Sequence, residues 1–286
     1  MDIESSDLVS VIVPFLNGSQ WLTEALQSVI NQTYTNWEMI VIDDGSEEAH
    51  SLVARNFCRQ HRSKIFYTEH QGHINKGVSV SRNEASRLAH GKYLAFLDAD
   101  DVWMPNKLAS QLALFRLHPK AGAVFGAFVL WHSWRDENAA DCVLPIGAPA
   151  GVCYAPGTLT KILYPFFTAA SPAPSGIMIK KEIFDRIKGF EPLFSGIYEL
   201  YEDQAFLSKL YLHETVFVSK TADIMYRKRE NSMSSAANDI ERYHTVRAFY
   251  FDWLERYLYK HNIEDKEITC LIEKARQELV LTPQLT

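Results

Sequence analysis

In the stretch KYLAFLDADDVWMP, residues 92–105, an apolar run ends in three carboxylates within four positions: Asp98, Asp100 and Asp101. Like charges this close raise one another's pKa unless something positive lies between them, so they either point to solvent or share a cation. A hard divalent ion such as Mg2+ or Mn2+ prefers oxygen ligands and is usually held by one or two carboxylates plus substrate phosphate oxygens. The D-x-D pair Asp98 and Asp100 suits that demand. The blander reading is that these aspartates cap and solvate the next turn.

Two further polar groups carry comparable chemistry. DDGS, Asp43 to Ser46, reads alone as an Asp-Gly turn, yet it too ends an apolar run. Arg82 and Asn83, in NKGVSVSRNEAS, fall at the start of a predicted helix near Asn83 to Ala89. Free backbone N–H groups and the helix dipole attract anions at such a start, and an arginine there can hold a diphosphate through bidentate bonds. A solvated helix-start side chain is the alternative.

Hydrophobic periodicity defines the elements that must position these groups. LVSVIVPF, Leu8 to Phe15, suits a strand buried on both faces, and Leu22, Ala25, Leu26, Val29 and Ile30 then recur at helical spacing. WEMIVID supplies a second strand, with its apolar run ending at Ile42. The next helix would be opened by Asp44 or Ser46, with Glu47 and Glu48 in its acidic first turn. KIFYTEH gives a third strand, Gly91 would cap the helix after it, and Tyr93 to Leu97 gives a fourth. Strict alternation implies right-handed crossovers and a parallel sheet covered on both faces, whose ligands bind beyond the carboxyl ends of the strands. Pro14 to Asn17, Asp43 to Ser46 and Asp98 to Asp101 all lie at such ends, which brings at least four carboxylates to one sheet edge.

From about Ala121 the character changes. A strand, AVFGAFVLW, precedes a Pro/Gly-punctuated stretch from Leu144 to Pro174, then SGIMIKKEIFDRIKGF reads as a strand and a helix ended by Gly189. Glu199 to Leu212 is helical in spacing, ETVFVSKTADIMYRKRENSMSS adds strands and a polar loop, and residues 236–281 read as largely helical.

Composition sets the outer limits. A chain of 286 residues, 47% of them hydrophobic, buries a substantial core in one large domain or a domain plus an appendage. A formal charge of -6 with no Lys/Arg-rich run argues against nucleic acid or an anionic membrane as the main partner, so any bound anion must be handled locally. Cys58, Cys142, Cys153 and Cys270 stand singly, as reduced thiols of a cytoplasmic protein do. The acidic start lacks the features of a secretory signal, and AGAVFGAFVLW is too short to span a bilayer, which takes about 20 residues. His70, His73, His132 and His213 are not at metal-ligand spacing and read as surface or satisfied core histidines. RYHTVRAFYFDWLERYLYKH, Arg242 to His261, reads as a helix packing on the main domain or forming a homodimer surface, and after those as a face resting on a membrane.

VSVIVPFLNGSQWLTEALQSVINQTYTNWEMIVIDDGS, GVSVSRN, GKYLAFLDADD and YED, in that order over roughly residues 8 to 235, resemble the family 2 glycosyltransferases, inverting enzymes of the GT-A fold. The resemblance implies a nucleotide-sugar donor, usually UDP-linked, and a divalent metal, Mn2+ or Mg2+. It implies that Asp44 contacts the nucleobase, Asp98 the ribose or sugar side, and Asp100 with Asp98 the metal. Pro14, Leu16 and Asn17 fall on the donor side, Asp203 of YED would be the general base, and Glu202 is its neighbour. Leu16 stands where the family often has an aromatic residue to stack on the base, which weakens the assignment of uracil. YRKRENSMS has Arg229 where a histidine is common, so an arginine would meet the diphosphate instead. The absence of QxxRW argues for adding one sugar or a few.

The chemistry agrees with this reading. Departure of a nucleoside diphosphate leaves charge on phosphate that a metal and an arginine stabilise without a protein acid, so only one carboxylate must act, on the acceptor hydroxyl. Asp203 read without the family is a helix N-terminal acid serving the dipole. The expectation is a GT-A α/β fold with a mostly parallel central sheet, helices on both faces and a C-terminal helical segment. Residues 1–110 would form the nucleotide-sugar half, 111–235 the acceptor half with the base, and 236–286 an extension. The expected activity is non-processive transfer of a sugar to a hydroxyl of a glycan or lipid-linked acceptor. A nucleotide-sugar-binding module without turnover is the alternative; a dehydrogenase is disfavoured because PFLNGSQ has no GxGxxG.

Overall fold

The computed structural model describes residues 7–229 and 239–281. Val9–Phe15 (β1), Trp37–Asp43 (β2), Ile65–Glu69 (β3) and Tyr93–Phe96 (β4) form a parallel block in the order β3-β2-β1-β4. Every residue of β1 and β2 is buried, as β-branched runs covered on both faces must be. Ser19–Ile30 (α1), Glu48–Gln60 (α2) and Val78–Leu88 (α3) make the crossovers, and Lys107–Leu117 (α4) follows β4. On one face Leu22, Leu26, Ala54 and Phe115 pack on Val9, Val11 and Val13. On the other, Ala85 of α3 meets Ile12 and Ile40.

The remaining strands extend the same sheet: Val102–Trp103 (β5), Ala123–Trp131 (β6), Cys142–Leu144 (β7), Val152–Tyr154 (β8), Met178–Lys180 (β9) and Val216–Arg227 (β10). β9 runs antiparallel between β4 and β6, and β10 returns parallel to β6. The sheet is therefore parallel where strand and helix alternate and mixed where the irregular stretch before β9 replaces a crossover helix. Lys181–Arg186 (α5) and Glu202–His213 (α6) cover its second face through Phe184, Phe206 and Leu210. Residue 110 lies inside α4, so one sheet joins the two expected halves without a break, and residue 235 lies outside the described residues, as does the SMS of the expected polar loop.

Ile240–Lys260 (α7) and Lys266–Leu281 (α8) build a third core, in which Tyr250, Phe251 and Leu254 meet Phe194, Tyr201, Ile268 and Ile272. Much of the aromatic face of α7 thus packs on the main domain. No described helix is long and apolar enough to cross a membrane.

Two helix boundaries differ from expectation. α3 begins at Val78, a turn earlier than Asn83, because Gly77 at φ +89 breaks the chain into the helix there. α2 begins at Glu48, behind rather than at Ser46. Gly91 does not cap α3 either: it passes so close to Ser10 that an added Cβ would sit 2.6 Å from that residue's backbone nitrogen.

Candidate active site

The ends of β1 and β2 are tied together before any ligand is considered. The Asp44 N–H donates to the Phe15 carbonyl at 2.8 Å, the Asn17 N–H to Ser46 Oγ at 2.7 Å, and the Glu47 N–H to Asn17 Oδ1 at 2.9 Å. Asn17 takes the left-handed region at φ +58 to make this turn. Asp43 is a structural hub. Burial works to raise its pKa, but bonds from Ser51 and Ser46 prevail and hold it below the usual carboxylate range. Its neighbour Asp44 is buried and accepts the Lys76 N–H at 2.8 Å, with His70 Nε2 at 3.2 Å. Gly45, at φ +84, lets this turn touch the 70–77 segment, where a Cβ would lie 2.6 Å from the Asn75 nitrogen. Pro14 is buried within β1, whereas Leu16 is exposed beside the turn.

Each of the three clustered aspartates has its own protein partners. Asp98 Oδ1 accepts from Arg82 at 2.6 Å. Asp100 Oδ2 accepts from both Nε, at 2.8 Å, and Nη2 of Arg229. Asp101 is fully buried, accepts the Ser175 hydroxyl at 2.6 Å and the Arg227 N–H at 3.1 Å, and is the one that braces the turn. Burial pushes Asp100 above the ordinary carboxylate value, Arg229 pulls it back, and the charge of Asp98 adds to the rise. Arg227, part of YRKRENSMS but given no role there, donates to the Asp100 carbonyl at 2.8 Å and to Glu24 at 2.5 Å from among Trp21, Trp131 and Trp134. That setting fixes the end of β10, from which Arg229 reaches Asp100.

Arg82 is not a solvated helix-start side chain. It is 2% exposed in the second turn of α3, lies over Phe190, and donates to Glu202 at 2.5 Å as well as to Asp98. It is therefore engaged by two carboxylates. Asn83 closes the neighbouring turn through the Phe190 backbone. Glu202 and Asp203 open α6, as the sequence suggested. Burial pushes Glu202 up to about 8 against the pull of Arg82, and pushes Asp203 up to about 6.

Asp98, Glu202 and Asp203 line one cavity of about 410 Å3, together with Glu199, Tyr164 and Lys228. The last three were not singled out. Glu199 is raised by burial and by the nearby charge of Asp44, and no spacing rule marks it. Tyr164 and Ser171 to Pro174 bring the irregular 144–174 stretch into the wall.

The histidines mostly meet expectation: His70 is buried between Glu84 and Ser81, and His132 is on the surface. His73 differs, since among the described residues it forms with Asp43 and Glu69 the group of ligand atoms that lies within 4.8 Å. Both Asp43 oxygens there already accept from Ser46, Ser51 and Tyr67. At the D-x-D turn Asp98 and Asp100 each give one carboxylate oxygen to an arginine, and the pair supplies hard oxygen ligands that fit a divalent cation completed by substrate oxygens.

The model of the family described as "Glycosyl transferase family 2" matches residues 10–187. A UDP-Glc:alpha-D-GlcNAc-diphosphoundecaprenol beta-1,3-glucosyltransferase, WfgD of Escherichia coli, is 37% identical over 107 residues, covering 37% of this chain and 40% of that protein. The glycosyltransferase GlyG of Streptococcus pneumoniae is 25% identical over 244 residues, covering 82% of this chain and 75% of its own. The alignment with WfgD thus spans well under two thirds of that protein's length. Among solved structures, S. aureus TarS 1-349 in complex with UDP-GlcNAc superposes with a TM-score of 0.60 at 18% identity, over 96% of this chain and 80% of that one. The mannosyltransferase PcManGT from Pyrobaculum calidifontis, with GDP-Man and Mn2+, gives 0.58 at 18% identity over 96% and 70%. These likenesses establish the GT-A fold.

Proposed function

The chain belongs to glycosyl transferase family 2, and from that premise we propose that it moves a sugar from a nucleotide diphosphate sugar, UDP-linked, to a hydroxyl of a glycan or lipid-linked acceptor with inversion. The observation that carries this reading is the single cavity that Asp98 and Asp203 share. A direct displacement needs the donor and the base at one space, and a shared cavity supports reading Asp98 as the donor-side carboxylate and Asp203 as the base. Asp203 accepts the acceptor's hydroxyl proton as its oxygen bonds to the anomeric carbon, and the bond to the diphosphate oxygen breaks with its electron pair. Asp98 and Asp100 would hold a divalent cation, Mn2+ or Mg2+, whose chemistry is to stabilise charge on the departing diphosphate. Arg229, already at Asp100, is within reach of the same charge. Arg82, paired with both Asp98 and Glu202, fixes the two relative to one another. The absence of QxxRW supports transfer of one sugar or a few.

The test is turnover with a panel of nucleotide sugars, with and without Mn2+. Activity is expected to stop in excess EDTA, and Asp100→Ala is expected to abolish Mn2+-dependent nucleotide binding followed by thermal shift. Full activity in EDTA would remove the metal from this reading, and binding of donor without transfer to any acceptor would favour a binding module.

Asp44 gives a second expectation. A carboxylate at the end of β2 accepts a hydrogen bond from a base N–H, and its loss costs about 1 to 3 kcal/mol. Asp44→Ala should raise the donor KM far more than it lowers kcat, whereas an unchanged KM would leave Asp44 the structural role of its contacts with Lys76 and His70.

A further inference from the structure

At the far end of α6 from Asp203, a cavity of about 1060 Å3 opens between the Arg186 to Leu193 turn, the last turn of α6 and one face of α7. It shares no lining residue with the cavity of Asp98 and Asp203. One wall is apolar, with Leu193, Phe249, Trp253 and Tyr257. The charge is one-sided: Arg186 is bound to Glu214 at 2.6 Å, which leaves Lys188, Lys209, Arg256 and Lys260 against Glu191 in a chain whose formal charge is -6.

Lys209 is the informative group. It is 2% exposed, yet among the described residues its ammonium meets the Lys188 carbonyl at 3.4 Å and the Glu191 carboxylate at 4.0 Å. A buried ammonium carries three donors and is costly to bury unless anionic or polar partners meet them. Burial accordingly lowers Lys209 to about 8. Lys188, whose carbonyl it touches, holds φ at +61 in the turn that ends α5, where the Gly189 N–H donates back to the Phe184 carbonyl at 2.9 Å.

We propose that this cavity binds a phosphate-headed amphiphile, with the phosphate at the Lys209 end and the apolar body along Phe249 and Trp253. Four cations against one carboxylate match a multiply charged phosphate better than a carboxylate, and a cavity this large with an aromatic wall is built for more than a free ion. The proposal is independent of the transferase reading, because it concerns a separate cavity and its test reads binding alone.

The full chain would be titrated with dihexanoyl phosphatidate as a soluble probe and with inorganic phosphate, and sedimented with phosphatidylcholine vesicles with and without added phosphatidate. Saturable binding of dihexanoyl phosphatidate is expected, seen as a rise in Tm, and it should be weaker by about tenfold or more in Lys209→Met, which loses a charge-assisted bond. Arg256→Gln, an exposed position, should weaken it with the fold intact, and decides the matter if Lys209→Met fails to fold. Co-sedimentation that requires phosphatidate and is lost in the variants identifies a membrane lipid as the source. Soluble binding without co-sedimentation identifies a soluble phosphate ester. The proposal is overturned if neither probe binds saturably, if inorganic phosphate binds as well as the lipid, or if the variants bind like wild type.

Discussion

Asp203→Asn is expected to lower sugar transfer by about 10²- to 10⁴-fold, the usual worth of a general base, while donor affinity stays near that of the wild type. The amide keeps the size and the bond to the Gln204 N–H, which a side-chain oxygen accepts at 2.7 Å, but no longer takes a proton. Because burial raises Asp203 to about 6, its base form dominates above that pH. The wild-type rate should therefore fall as pH drops through about 6, and that limb should vanish from the residual activity of the variant. The product should have inverted anomeric configuration by NMR. Wild-type turnover in Asp203→Asn would move the base elsewhere, with Glu202 next in line; retention would sink the single-displacement reading.

Arg82→Met should cost stability rather than a single kinetic constant. Its guanidinium is the partner of both Asp98 and Glu202, and deleting one side of a buried ionic group typically costs about 3–5 kcal/mol because the other charge is left uncompensated. Denaturant titration would read this as a lower midpoint at unchanged slope. Burial raises Glu202 to about 8, so below that pH it is mostly neutral: the part of the penalty owed to its charge should be small in acid and appear as pH rises through about 8. Adding Glu202→Gln and Asp98→Asn should recover part of the loss, because groups in one network are not additive. A loss no larger than that of an ordinary surface substitution would mean the cluster is solvated in solution.

Much of this was legible. β-branched runs and helical spacing located β1 to β4 and α1, and three polar strand ends named the site's edge, because burial on both faces leaves a simple pattern. Helical spacing over Glu199 to Leu212 located α6, which begins at Glu202, and the resemblance picked out YED at its start. What stayed hidden depended on contacts distant in sequence. Arg82 reads as an anion-binding helix start until Glu202, far along the chain, is seen to claim it. Asp101 is indistinguishable from Asp98 and Asp100 by type, and only Ser175 and the end of β10 assign it to bracing. Glu199, Tyr164 and Lys228 enter the cavity from irregular segments that carry no period, and Lys209 looks like any lysine on a helix.

The position of β9 between β4 and β6 also bears on how the molecule is made. A chain emerging from the ribosome can complete β1 to β4 and their crossovers locally, but the open edge of β4 must wait for Met178 to Lys180 to arrive. Until then an unpaired strand edge faces the cell, the feature through which nascent chains associate wrongly. Arg82 waits longer still, for Glu202, and passes much of synthesis without one of its two counter-charges. The part of the molecule that is simplest to recognise is thus the part that spends longest incomplete.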